Sequence, residues 1–97
     1  MNHRFVEEAL AEFIATAKYY NAQVPDLGES FIDEVEAGIA KILSNPTTWR
    51  VIDDDVRRYL VDRFPYGIYY TIESDTIVIW AVRNLQRAED DWRSRRH

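Results

Sequence analysis

From Glu7 onward the apolar positions recur with a helical period. Leu10, Phe13, Ile14, Ala17 and Val24 fall on one stripe, with Tyr20 close beside it, which is the spacing of an amphipathic helix. Pro25 ends that helix or lies just beyond its end. Asp26 followed by Glu29 has the spacing of a capping box, with Asp in place of Ser or Thr. A second helix then carries Phe31, Ile32, Val35, Ile39, Ile42 and Leu43 inward and stops at Ser44-Asn45-Pro46. Two such helices with a short link predict an antiparallel hairpin. Ahead of them, residues 2–6 (NHRFV) are expected to form a short opening strand. After Pro46 the composition changes. Trp49, Val51 and Ile52 favour extension, and Asp53-Asp54-Asp55 interrupts it. Strands are predicted over 57–63, 66–73 and 76–82, with breaks at Phe64-Pro65 and Ser74-Asp75. Pro65 marks a connection, because proline cannot donate to a central ladder. From Glu89 the tail EDDWRSRRH reads as a helix, acids first and arginines last, the order that complements a helix dipole.

The last two strands permit a sharper expectation. With Ser74-Asp75 as a two-residue turn, Glu73 faces Thr76, Ile72 faces Ile77, Tyr70 faces Ile79 and Ile68 faces Ala81. That face is almost wholly apolar and is expected to lie under the helical hairpin. The other face sets Thr71 beside Val78, Tyr69 beside Trp80 and Gly67 beside Val82. It is half-polar and aromatic, and is either covered by the C-terminal helix or left open for a partner.

The length, 97 residues, allows one domain spanning 1–97. At 46% hydrophobic and 13% aromatic the chain is not disordered. No cysteine is present, which removes disulfides and thiolate chemistry together and suits a reducing cytoplasm. The N-terminus has no apolar run of signal-peptide type, and no apolar stretch approaches a membrane span. The net charge of −5 argues against general coating of nucleic acid. It is unevenly distributed, however. Residues 1–48 carry three basic and eight acidic side chains, whereas residues 49–97 carry nine arginines and nine acids. A polyanion or an acidic protein partner is therefore met by the second half, if at all.

Catalytic and metal signatures are sparse. The two histidines, His3 and His97, lie at opposite ends of the chain, and no HxxxH or Gly-rich phosphate loop occurs. Asp53-Asp54-Asp55 reads as a solvated turn, because hard-cation loops need spaced ligands and a longer loop. No metal or cofactor is expected. The acids Glu7, Glu8 and Glu12, and those at the start of the second helix, read as a solvated face with favourable helix-end charge. The arginines carry the candidate chemistry. Arg57-Arg58 opens a strand, so the two side chains point to opposite faces. Arg83 and Arg87 flank the end of the last strand, and Arg93, Arg95 and Arg96 form the tail. Guanidinium groups pair bidentately with carboxylate or phosphate, and Tyr69 and Trp80 offer rings for stacking or anchoring. The plainer alternative places both rings under the last helix, against Trp92.

The segment RRYLVDRFPYGIYY (57–70), followed by DTIVIWAV (75–82), resembles the RelE/ParE superfamily of type II toxin–antitoxin toxins, of the plasmid-stabilisation type. The resemblance covers nearly the whole chain, from the helical hairpin ending in Ser44-Asn45-Pro46 to the close marked by Arg87 and Trp92. It implies an α+β fold in the order β-α-α-β-β-β-α, a small, mainly antiparallel, twisted sheet with the helical hairpin on one face. It also implies a small cytoplasmic toxin, held inactive in an oligomer with a cognate antitoxin whose C-terminal segment wraps it. Two activities run in the superfamily. RelE-like members cut mRNA in the ribosome, without metal, by attack of the RNA's own 2′-hydroxyl; ParE-like members bind and poison DNA gyrase. Where ribonuclease members place two basic residues on one strand, this chain has Arg58 and then Leu60. Where they place an arginine at the start of the next strand it has Gly67, and where many have a histidine past the last strand it has Asn84. Arginine itself is a poor proton donor or acceptor, with a pKa above ~12.

The resemblance therefore implies a ParE-like toxin acting on gyrase by protein contact, with Arg57, Arg58, Tyr69, Trp80, Arg83, Arg87, Trp92 and Arg93 as target or antitoxin contacts. The alternative is a ribosome-dependent mRNA endonuclease, with Arg58 and Arg87 on phosphate and Tyr69 moving a proton. A further alternative is a degenerate module that binds antitoxin without toxicity.

Overall fold

The computed structural model describes residues 1–87 and 92–96. The chain runs through strand β1 (Asn2–Phe5), helix α1 (Glu7–Gln23), helix α2 (Leu27–Ser44), and strands β2 (Val51–Asp53), β3 (Val56–Leu60), β4 (Tyr66–Glu73) and β5 (Thr76–Asn84). The five strands form one sheet in the order β1-β5-β4-β3-β2. β1 pairs with β5 in parallel and every other pair is antiparallel. The expected α+β architecture is present, with a mixed sheet and one extra strand. Asp53-Asp54-Asp55 does not simply interrupt the chain. Asp54 takes a left-handed conformation (φ 53°) and reverses the backbone into a small β2–β3 hairpin. The expected C-terminal helix begins at residues outside the described ones; from Trp92 to Arg96 the chain is a short 3-10 helix. No helix among the described residues is long and apolar enough to cross a membrane.

The expected α1 stripe is rotated. Leu10, Ile14 and Val24 are 44%, 47% and 51% exposed, while Ala9 and Ala17 are buried and Phe13 and Tyr20 pack against the core. Small alanines let α1 approach its neighbours closely, so only a narrow face of it is covered. α2 supplies the broad apolar face, with Phe31, Val35, Ile39 and Ile42 buried. Phe31 is the hub of an aromatic cluster, its ring centroid 5.1–5.9 Å from those of Phe13, Tyr20, Phe64 and Tyr66. Burial and the neighbouring Tyr66 phenol push the Tyr20 pKa up to about 12, so that hydroxyl stays protonated at any physiological pH.

The predicted capping box at the α1–α2 turn does not form. Asp26 sits at φ 69° and its side chain caps nothing. Asn21 of α1 replaces it, its Oδ1 accepting the Gly28 N–H at 2.7 Å. The exchange requires two helices in near contact, and Gly28 provides for it. A Cβ there would lie 2.2 Å from the Ala17 carbonyl oxygen. Gly28→Ala is expected to cost about 2–3 kcal/mol through overpacking against backbone, read as a shift of the urea midpoint at unchanged m-value.

Near its turn the β4–β5 hairpin follows the expected register. Glu73 pairs with Thr76, Ile72 with Ile77, Thr71 with Val78 and Tyr70 with Ile79. Beyond that point the register slips. An irregularity at Tyr69/Tyr70 leaves Trp80 as an extra residue, so Tyr69 pairs with Ala81, Ile68 with Val82 and Gly67 with Arg83. The expected pairs Ile68–Ala81, Tyr69–Trp80 and Gly67–Val82 are each displaced by one. Val82 therefore joins the helix-facing core with Ile68, Tyr70, Ile77 and Ile79, while Ala81 lies on the opposite face with Tyr69. A bulge of this kind costs one ladder position and re-aims the residues that follow.

Candidate functional site

The second face of the sheet is not open. Val56, Tyr69, Ala81 and Trp92 form their own buried cluster. Tyr69 is 1% exposed and Trp92 0%, with ring centroids 5.3 Å apart. The 3-10 helix is fastened across this face by charge. Arg93 pairs with Asp53 and its guanidinium lies 4.8 Å from the Trp92 ring centroid. Arg96 donates to both Asp55 oxygens at 2.5 and 3.3 Å and lies 5.3 Å from the Trp80 ring centroid. The Arg96 hydrogen bonds hold the Asp55 carboxyl below its ordinary range. Trp80, partly buried, donates its indole N–H to Thr71 Oγ1 at 2.9 Å. Of the two possibilities left by the sequence, covered or open, the covered one holds. Tyr69 and Trp92 do not present surfaces to a partner while the tail is docked, and Trp80 is committed largely to its own chain. The fit is not complete, since Trp92 Nε1 and Arg96 Nε are buried without hydrogen-bond partners.

The remaining candidates divide between two places. Arg57 points into the α2–β2 connection, where it donates to the carbonyls of Thr47 (3.1 Å) and Trp49 (2.7 Å), an anchoring role. Arg58 lies against Gly67 on the tail-covered side. Arg83 and Arg87 come together in a groove between α1 and the end of β5. The groove has a volume of about 420 Å³, with Glu12, Thr16, Tyr19, Tyr66 and Asn84 among its other walls. Arg58 and Tyr69 do not line it.

The groove exists because β1 is short. β1 pairs with β5 over Thr76–Ile79, and Val6 continues to the Ile79 carbonyl at 3.0 Å. Past that point α1, not a strand, runs beside β5. Glu12 supplies what a strand would have supplied. Its carboxylate accepts the Val82 N–H at 3.3 Å, Arg83 Nη1 at 3.4 Å, and two Arg95 nitrogens at 2.9 and 2.7 Å. Arg95 also donates to the Trp80 carbonyl at the bulge, at 3.0 Å. One acid on α1 thus joins the bulged strand, the groove and the tail. Nothing in the residue pattern marks this role, because a single glutamate beside an apolar helical stripe is indistinguishable from a solvated one. Tyr19, Tyr66 and Arg95 enter the site in the same way, through tertiary contact.

Arg83 is 8% exposed on the groove floor. Arg87 is exposed at the rim, and among the described residues its guanidinium has no partner. Asn84 Oδ1 accepts the Gln86 N–H at 2.8 Å, which leaves the Asn84 amide N–H groups available beside it. The arrangement can hold an acceptor-rich group. Among the described residues no set of three or more His, Asp or Glu side chains is placed to hold a metal ion.

The family described as "ParE toxin of type II toxin-antitoxin system, parDE" matches residues 4–92. No curated protein matches the sequence. Among solved structures, the chain is similar to one titled "Chromosomal ParDE TA system from P. aeruginosa", with a TM-score of 0.75 and 16% identity over 87% of this chain and 95% of that one.

Proposed function

Because the chain belongs to the ParE toxin family of type II toxin–antitoxin systems, we propose that it acts in the cytoplasm on DNA gyrase by protein contact and is neutralised there by its cognate antitoxin, so stabilising the plasmid or locus that encodes the pair. The observation that carries this reading is the α1–β5 groove. It is lined by the Arg87 guanidinium, which has no partner among the described residues, together with two tyrosines and a second arginine, and that makes it a recognition surface rather than a proton-transfer site. The mRNA-cleavage alternative needs Tyr69 at the RNA, and Tyr69 is sealed beneath Trp92. It also needs a group able to exchange protons near neutral pH, which arginine is not.

Expression without the antitoxin tests the proposal. Growth arrest with a DNA-damage response and continuing translation is expected, together with loss of supercoiling by purified gyrase. A translation halt with mRNA cut at codon positions would move the chain to the ribonuclease branch, and normal growth would mark a non-toxic module. Arg87→Ala is expected to abolish the arrest while changing stability by less than about 0.5 kcal/mol, as for an exposed side chain without partners. Full arrest by that variant would remove Arg87 from the site.

A further inference from the structure

We propose that the α1–β5 groove receives an aspartate or glutamate side chain of the cognate antitoxin, bound by Arg87 and the Asn84 amide between Tyr19 and Tyr66. This rests on the antitoxin arm of the reading above and adds the place and the chemistry of the contact.

The groove's own chemistry selects the occupant. Among the described residues the Arg87 guanidinium and the Asn84 amide N–H groups are uncommitted donors, and the Thr16 and Tyr19 hydroxyls on the same walls can donate as well. A ligand that only accepts satisfies such donors, and a carboxylate does so bidentately. The chain already contains the same recognition in cis. Glu12, at the inner end of the groove, is received by guanidinium N–H groups together with a β5 backbone amide. A second carboxylate at the outer end repeats that pattern one step along the strand. The tyrosines supply flat apolar walls for the stem of the side chain that carries it, and Tyr19, 59% exposed, is open to cover from a partner.

Phosphate groups of a nucleic acid share the acceptor chemistry but fit the surroundings poorly. α1 carries Glu7 and Glu8, and the whole chain is at −5. A run of phosphates laid along the groove would meet that repulsion, whereas a single carboxylate on a peptide meets only the donors. The three tail arginines, which could have extended a cationic track beyond Arg87, are already turned inward, Arg93 to Asp53, Arg95 to Glu12 and Arg96 to Asp55.

The test is titration of the purified antitoxin, the product of the neighbouring reading frame, into the full-length toxin, followed by calorimetry. Arg87→Ala is expected to weaken binding about tenfold or more, and Arg87→Glu further, with the melting curve of the free toxin unchanged. Arg87→Lys is expected to recover only part of the affinity, because a lysine cannot form the planar two-point contact. Asp or Glu changes to Lys along the antitoxin are then paired with Arg87→Glu, and one of them should restore binding. Unchanged affinity in Arg87→Glu, with the wild-type pair still binding, overturns the groove assignment and leaves the toxin–antitoxin reading intact. Absence of binding by the wild-type pair overturns the reading itself. Loss of affinity that no acid-to-lysine change in the antitoxin restores overturns the carboxylate contact. Displacement of a bound oligonucleotide from wild-type toxin, but not from Arg87→Ala, would assign the groove to nucleic acid instead.

Discussion

Tyr70→Ala is expected to lower the unfolding free energy by about 3–5 kcal/mol, the range for deleting a large buried aromatic ring. Tyr70 is fully buried beneath the helices and pairs with Ile79 across the hairpin. Its hydroxyl donates to the Pro46 carbonyl at 2.7 Å, and Arg57 anchors the same connection through Thr47 and Trp49. The alanine variant therefore leaves a cavity and an unbonded carbonyl in one place. Tyr70→Phe separates the two effects and should cost about 1 kcal/mol. Urea unfolding of both variants measures the difference, and a near-native midpoint for the alanine variant would contradict the burial. Tyr70 also makes stability alkali-sensitive. Burial raises its pKa from 10.0 to about 12, against the lowering influence of Arg57. Because the folded value is the higher one, the contribution is complete below about pH 10 and is lost as pH rises through about 12. Tyr70→Phe should retain more of its stability over that interval than the parent does.

Glu12→Ala should be nearly as damaging, at about 2–3 kcal/mol, although Glu12 is a partly exposed helix residue. Its carboxylate faces Arg83 and Arg95, whose side chains are only 8% and 12% exposed, and it accepts the Val82 amide at the bulge. Removing the acid takes away the carboxylate that both guanidiniums share in a poorly solvated place, and breaking such a pair costs more than its net worth. The value lies below the fully buried range because Glu12 is itself 24% exposed. Glu12→Gln keeps an acceptor oxygen and should recover part of the loss. The diagnostic readout is tryptophan fluorescence. Loss of the Arg95 tether should free the 3-10 helix and shift Trp92 emission toward that of a solvated indole. An unshifted spectrum in Glu12→Ala would show that the Trp92 contact and the remaining ion pairs hold the tail alone.

The parts of the fold legible in the sequence are those where polar residues mark the parity. Thr71, Glu73 and Thr76 alternate with Tyr70, Ile72 and Ile77, and the register around the Ser74-Asp75 turn is as expected. Ile79-Trp80-Ala81-Val82 is apolar throughout, so a slip of one residue leaves no trace in the pattern. α1 buries a different face from the one its pattern predicts, for a related reason. Leu10 and Ile14 widen its apolar stripe beyond the face that is buried, and the alanines that set the true contact carry little hydrophobic signal. The aspartates at 53–55 read as a solvated turn, and the turn is there, because Asp is among the few residues that accept left-handed backbone; Asp53 and Asp55 are paired with tail arginines rather than left to solvent. In the candidate site, Arg83 and Arg87 were legible from their place after the last strand. Tyr69 and Trp92 had two possible roles, and the tail's ion pairs decide for the structural one. Glu12 was not legible, because its importance lies in partners some seventy residues away.

The extra residue at Trp80 divides β5 into two halves that are out of phase. Up to Ile79 the strand keeps time with the hairpin turn; from Ala81 it keeps time with the groove. Inserting or deleting a single residue between them would leave the first half seated and turn the second over, delivering an arginine to the greasy interior and a valine to the outside. The length of that stretch is thus under stricter constraint than the identity of most residues in it, and comparison of natural variants should find substitutions there far more often than gaps.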